Sequence, residues 1–198
     1  MWDRLYQHLR SLFQAPEQIL RHIEDGTTVL DLGCGYGDLC AALVTQKPAC
    51  SATGIDHDIH KIQVAQSRYG NHPKLQFEVS DLQHVESVHQ QIVLMIDVLH
   101  YFEATAQMDC LKKLATSASV QKIIARDTLR SWHMGYYLTR LHEFTMIRIG
   151  RTRVQQTRLT FFSKEEWRQI AHALNLKVQF IKSGLPFYND HLIILSRS

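Results

Sequence analysis

The sequence predicts an α/β fold built as a doubly wound, mainly parallel sheet. Three observations predict it. Short apolar runs (TTVLDLG, SATGID, KLQFEV, QIVLMID, KIIARD) alternate with segments of helical spacing, and that β-α-β alternation marks a parallel sheet with helices on its faces. The first and fourth runs are apolar almost without a break, as strands buried on both faces are. Gly33, Gly35 and Gly37 directly follow the first run. Glycine carries an entropic cost, so this spacing points to backbone that must come close to something at the mouth of the sheet.

Taken in order, Trp2, Leu5, Leu9, Leu12 and Phe13 recur at helical spacing and predict an amphipathic helix that ends before Pro16. Pro16 suits the first turn of a second short helix, PEQILRHI. TTVLDLG is the first strand and GDLCAALVTQ the helix after it. SATGIDHD is a second strand ending in acids, and DIHKIQVAQSRYG a helix stopped at Gly70. KLQFEVSD is the third strand and QIVLMIDVLHYF the strongest buried-strand run. TAQMDCLKKLATSA is helical, and KIIARDTL is the fifth strand. SWHMGYYLTRLHEFTMI reads as a helix and IRIGRTRVQQTRLTFF as a basic, β-prone excursion. Ser163 and Glu166 form a capping box that opens SKEEWRQIAHALNL, whose Trp167, Ile170, Ala171 and Leu174 make one face. LKVQFIKSG and DHLIILSR, joined through LPFYN, close the chain as an antiparallel pair. With no repeat, linker or low-complexity tract, residues 1–198 read as a single domain.

Composition narrows the classes. The 198 residues are 45% hydrophobic and 21% charged, as in a globular protein, and a net charge of +3 does not indicate a nucleic-acid binder. Cys34, Cys40, Cys50 and Cys110 show no paired spacing and read as reduced thiols of a cytoplasmic protein. No apolar run approaches the roughly 20 residues of a membrane span, and the N-terminus lacks the pattern of a secretory signal.

Acids stand at successive strand ends. Asp31 closes the first strand, Asp56 the second, and Asp81 follows the third. The glycine spacing is G-x-G-x-G, not the G-x-G-x-x-G of a pyrophosphate-binding turn, which disfavours a nucleotide-dependent oxidoreductase. Asp56 lies about 20 residues after the glycines, where a carboxylate can accept both hydroxyls of an adenosine ribose. A tight turn without ligand, and acids acting only as loop caps, are the plainer readings.

VLDLGCGYG, GIDHD, VSDL and IVLMIDVLHYF together resemble the glycine-rich, acidic and fourth-strand motifs of the class I S-adenosylmethionine-dependent methyltransferases, from about Thr27 to Thr128. The resemblance implies a Rossmann-like, seven-stranded sheet with the last strand antiparallel, and S-adenosyl-L-methionine as cofactor. It implies that Asp31 holds the methionine amino group, that Gly33, Cys34, Gly35 and Gly37 form the turn against the methionine and ribose, and that Asp56 takes the ribose hydroxyls with His57 beside the adenosine. It further implies Asp81 on the adenine amino group, Leu82 near the ring, and Asp97 under the methionine group. The family's frequent Pro-Gly-Gly turn before the fifth strand is replaced here by ATSASVQ. Residues 1–24 then form a helical lid, and 131–162 an insertion on the acceptor side.

For the acceptor side, His100 is the first candidate base, Tyr101 its neighbour, and His133 with Tyr136 come next; His100 acting only to shape the pocket is the competing reading. Arg126 and Asp127 line the pocket or pair with each other. His57 and His60 with Asp56 and Asp58 make a poor metal site because the ribose claims Asp56, so no metal is expected. Asp97–Tyr101 lacks the paired prolines of base-clamping enzymes, which argues for a small-molecule acceptor, free, carrier-bound or lipid-like, and against DNA and RNA. Arg148, Arg151, Arg153, Arg158 and Lys164, in a stretch without acids, are solvated or meet an anionic partner. An RNA or protein methyltransferase and a non-catalytic binding module are the alternatives.

Overall fold

Seven strands form one sheet: β1 (Thr28–Leu32), β2 (Ser51–Asp56), β3 (Leu75–Val79), β4 (Ile92–Ile96), β5 (Lys122–Thr128), β6 (Lys177–Lys182) and β7 (Asp190–Ser196). Their order is β3-β2-β1-β4-β5-β7-β6. The first five pair in parallel, and β7 runs antiparallel between β5 and β6. The order reverses between β1 and β4, and there the helices leave on opposite faces and open a crevice beyond the strand ends. This computed structural model describes residues 16–81, 87–148, 159–184 and 188–197.

Period-two alternation sends side chains of one strand to two cores. Val29, Ile92, Leu94 and Ile96 pack with Cys40, Leu43, Ile62 and Phe77 on one face. Leu30, Leu32, Val93 and Met95 pack with Leu111, Leu114, Trp167 and Ile170 on the other. The first face is covered by α1 (Pro16–Leu20), α2 (Asp38–Gln46) and α3 (Ile59–Tyr69), the second by α4 (Ala104–Thr116) and α6 (Lys164–Ala173). The Asp58 carboxylate caps α3 by accepting from the His60 N–H at 3.0 Å. Ser163 and Glu166 form the expected reciprocal capping box at α6. Trp167, 1% exposed, anchors that helix, edge-on to Phe162 at 5.7 Å.

Between β5 and α6 lies α5 (Met134–Arg148). It leaves Met134, Leu141 and Phe144 exposed while burying Tyr136 and Thr139. Among the described residues no helix is long and apolar enough to cross a membrane.

Two local expectations need correction. The fourth strand does not run on to Phe102: it ends at Ile96, Asp97 takes a left-handed φ of 55°, and Leu99–Tyr101 form a 3-10 turn. The β-prone excursion forms no strand at its described end, Leu159–Phe162. Its amides and carbonyls bond singly to separate loops: Thr160 N–H to His100 O (2.9 Å), and Arg130 N–H to Phe162 O (2.9 Å). The Gln107 side chain holds it further, donating to Thr160 O and Phe102 O, both at 2.9 Å. The N-terminal helix with most of the lid, Leu82, Arg151, Arg153 and Arg158, and Leu185–Phe187 of the last connection lie outside the described residues.

Candidate functional site

The glycine turn is built so that one position faces open space. Gly33, Gly35 and Gly37 all have positive φ (83°, 57° and 77°), which side-chain-bearing residues rarely adopt. A Cβ on Gly37 would stand 2.6 Å from Phe77 Cε1, so that glycine is required by packing. A Cβ on Gly35 would meet nothing within 4 Å, so there it is the conformation and the space beyond that are kept clear. The Gly33 and Cys34 amides are spent on Ile55 O (2.7 and 3.0 Å), which ties the turn to β2. Burial pushes the Cys34 thiol far up, so it stays protonated and is no nucleophile.

Two buried carboxylates flank this turn. Asp56 is 4% exposed; its Oδ2 accepts from the Gly35 N–H at 3.0 Å and its Oδ1 from the Asp58 N–H at 2.9 Å. Lys61 Nζ lies 4.0 Å and His57 Nδ1 3.4 Å from it. Asp31, 2% exposed, receives only the Cys40 thiol, at 3.5 Å, among the described residues. Burial pushes its carboxyl up to about 7, Asp56 adding to the rise and the Cys40 contact opposing it. Asp81 follows β3, half-buried. These groups and Gly35 stand along the carboxyl ends of β1, β2 and β3.

The acceptor-side candidates fall into paired groups. His100, 3% exposed, places Nδ1 2.9 Å from Asp127 Oδ1, while Nε2 is buried without a hydrogen-bond partner among the described residues, 4.0 Å from Glu143 Oε2. Burial pushes the imidazole down, but the Asp127, Glu143 and Asp97 carboxylates outweigh it and raise its pKa to about 9. The Tyr101 hydroxyl donates to Glu143 Oε2 at 2.6 Å. The imidazole stacks on Phe161 (4.9 Å, 22°), and Tyr136 meets Phe161 edge-on at 5.8 Å.

Arg126 and Asp127 do not pair with each other. Adjacent residues on β5 point to opposite faces. The Arg126 Nε donates to Asp97 Oδ1 at 2.9 Å and its Nη2 bonds Asp97 Oδ2, while Asp127 turns to His100. Asp97 therefore spends its carboxylate largely on Arg126. His133 is exposed in the turn before α5, its N–H on Ser131 Oγ at 3.3 Å.

The fold matches solved structures over nearly the whole chain. With magnesium protoporphyrin IX methyltransferase of Synechocystis PCC 6803 bound to SAH, the TM-score is 0.72 at 19% identity, over 95% of this chain and 84% of that one. The pyocyanin biosynthetic protein PhzM gives 0.74 at 15%, over 99% and 58%. The mitomycin 7-O-methyltransferase MmcR gives 0.73 at 18%, over 95% and 54%. The chain thus spans little more than half the length of the latter two. A comparison with curated protein sequences gives no match. Residues 29–119 match the family model of the methyltransferase domain.

The whole chain thus has the fold of these methyltransferases, and its residues 29–119 match a methyltransferase domain.

The residues present fit S-adenosylmethionine, the cofactor that the sequence motifs imply. Open space at Gly35, a buried carboxylate with no cation at Asp31, and a second carboxylate at Asp56 suit, respectively, a bulky ligand, an ammonium and a diol. Sequence reasoning missed Glu143. Its signal was present: it is the one acid between Ser131 and Phe162.

Proposed function

We propose that the methyltransferase transfers a methyl group to a small-molecule acceptor, free or carried, bound on the side of the crevice that His100, Tyr101 and α5 face. The observation that carries the reading is Asp31: a carboxylate buried beside an open turn, without a cation, is costly unless a ligand brings one. The small-molecule names of the similar structures, magnesium protoporphyrin IX and mitomycin among them, support the acceptor class.

S-adenosylmethionine, when bound, supplies a methyl group on a sulfonium: the C–S bond breaks as the bond to the acceptor forms, leaving a neutral thioether. Asp31 would receive the amino group, and Asp56 the ribose hydroxyls, since a carboxylate holding two amides still has lone pairs to offer. Asp81 and Leu82 would serve the adenine, as the motif implies. The chain's own work is alignment and the exclusion of water.

His100 enters this differently from a simple base. With its pKa raised to about 9 it holds a proton at neutral pH, Nδ1–H on Asp127 and Nε2–H without a partner. A group already protonated cannot take the acceptor's proton. It acts as a donor that stabilises an ionised acceptor oxygen, and the Glu143 carboxylate, already holding the Tyr101 hydroxyl, receives the proton released.

Calorimetry with S-adenosylmethionine, S-adenosylhomocysteine and NAD tests the reading. The first two should bind and NAD should not. Asp56→Ala should weaken S-adenosylmethionine by about 2–4 kcal/mol, two charge-assisted hydrogen bonds being lost. Unchanged affinity in a folded Asp56→Ala variant, or binding of NAD alone, would overturn it.

A further inference from the structure

A cavity of about 580 Å³ opens between the start of α4, the first turns of α5 and the segment Leu159–Phe161. Its volume is that of a site for a ligand of a few rings. It adjoins the His100 group directly: Phe161 stacks on the imidazole and Thr160 donates to the His100 carbonyl, and both residues also line the cavity. Tyr136, edge-on to Phe161, lines the same space.

The charges lining this space are uneven. Among the described residues, Arg130 and Arg140 face Glu103 alone. Arg130 already gives one Nη2 to Glu166 Oε1 at 2.6 Å. Arg140 rests its guanidinium over the Tyr136 ring, 5.8 Å from the centroid, and no carboxylate among the described residues pairs with it. Stacking occupies the face of a guanidinium and leaves its N–H edge for a planar oxyanion, which it grips with two parallel hydrogen bonds. A cationic or fully apolar ligand would leave that edge without a partner.

We propose that this cavity is the acceptor subsite and that it selects aromatic carboxylates, the ring filling the space that Tyr136, Leu159 and Phe161 line and the carboxylate on Arg140. The proposal rests on reading the chain as a small-molecule methyltransferase. It adds the substrate class and names Arg140 as the residue that sets it. Arg140 sits at the mouth, so the anion stays near water while the ring is buried, an arrangement that avoids the cost of desolvating a charge.

The probes are 6-hydroxy-2-naphthoate and 6-hydroxy-2-naphthamide, which share a shape and differ in charge, titrated calorimetrically into the full chain saturated with S-adenosylhomocysteine. The naphthoate should bind at least about tenfold tighter than the amide, the range for a charge-assisted pair. In Arg140→Gln that preference should fall to about twofold or less, with S-adenosylhomocysteine affinity unchanged. Arg140→Lys, which keeps the charge but not the fork, should retain part of it. Equal binding of the two rings by the parent, no binding of either, or a preference that survives Arg140→Gln overturns the proposal while leaving the methyltransferase reading intact. Failure of S-adenosylhomocysteine to bind, with the naphthoate still preferred and Arg140 still responsible, overturns that reading and leaves the subsite standing.

Discussion

Replacing Asp127 by Asn should uncouple the His100 pair and flatten the protein's stability against pH. In the parent, burial alone would push His100 below 6.5, yet three carboxylates raise it to about 9, Asp127 foremost. At about 1.4 kcal/mol per pH unit, a rise from 6.5 to about 9 corresponds to about 3 kcal/mol of stabilisation of the folded, protonated form. The carboxyl of Asp127 is itself pushed up by burial, which offsets part of this, so the net loss in Asp127→Asn should be about 2 kcal/mol. The sign follows from linkage. Where a folded-state pKa is raised, the folded protein binds the extra proton. The stabilisation is fully present below about 6.5 and is lost as pH rises through about 9. Urea unfolding at about pH 6, 7.5 and 9.5 should therefore show the parent weakening across that window and Asp127→Asn nearly level. The ring protons of His100 should titrate near 9 in the parent and well below that in the variant. A variant with the parent's urea midpoint at every pH would refute the argument, because His100 would then owe its proton to something other than Asp127.

Two glycines in one turn should fail for different reasons. Gly37→Ala drives a Cβ to 2.6 Å from Phe77 and should lower thermal stability by about 1–3 kcal/mol. Gly35→Ala has room in the empty turn and should cost only about 1 kcal/mol of strain, read by urea unfolding, while calorimetry shows S-adenosylmethionine binding lost. Asp97→Asn keeps a side chain that tolerates a φ of 55° but removes the charge facing buried Arg126; unfolding should show a loss of about 1–3 kcal/mol.

Which parts of the site were legible follows from how far apart its partners lie in the chain. The glycine turn and the acid ending β2 are local: a strand, a turn, a helix and the next strand fix them, and period and spacing report all four. The His100–Asp127, Tyr101–Glu143 and Asp97–Arg126 contacts span 27, 42 and 29 residues. No local pattern ties those partners together. Adjacency even misleads, since Arg126 beside Asp127 suggests a pair that strand alternation forbids. At the end of β4 the left-handed turn of Asp97 and its bond to Arg126 carry no local signal either. At Leu159–Phe162 β-propensity gave way because no neighbouring strand offers a ladder, only separate loop carbonyls and amides.

The two halves of the site handle buried charge in opposite ways. On the acceptor side the carboxylates around His100 each have a partner: Asp127 has His100, Asp97 has Arg126, and Glu143 has the Tyr101 hydroxyl. Such a cluster is rigid before any ligand arrives and holds its geometry at no further ordering cost. On the cofactor side Asp31 is left with a thiol, and its carboxyl rises to about 7, so the folded protein alone binds a proton there that the unfolded chain releases near its ordinary pKa. That group lowers stability as pH rises from about 4 to about 7, the reverse of the usual carboxylate. An ammonium delivered beside it removes the penalty, so binding strengthens through a cost that folding alone has left in place. The same turn keeps space clear at Gly35, and the coincidence of an open position with an unneutralised acid makes this end the one that waits for a charged ligand.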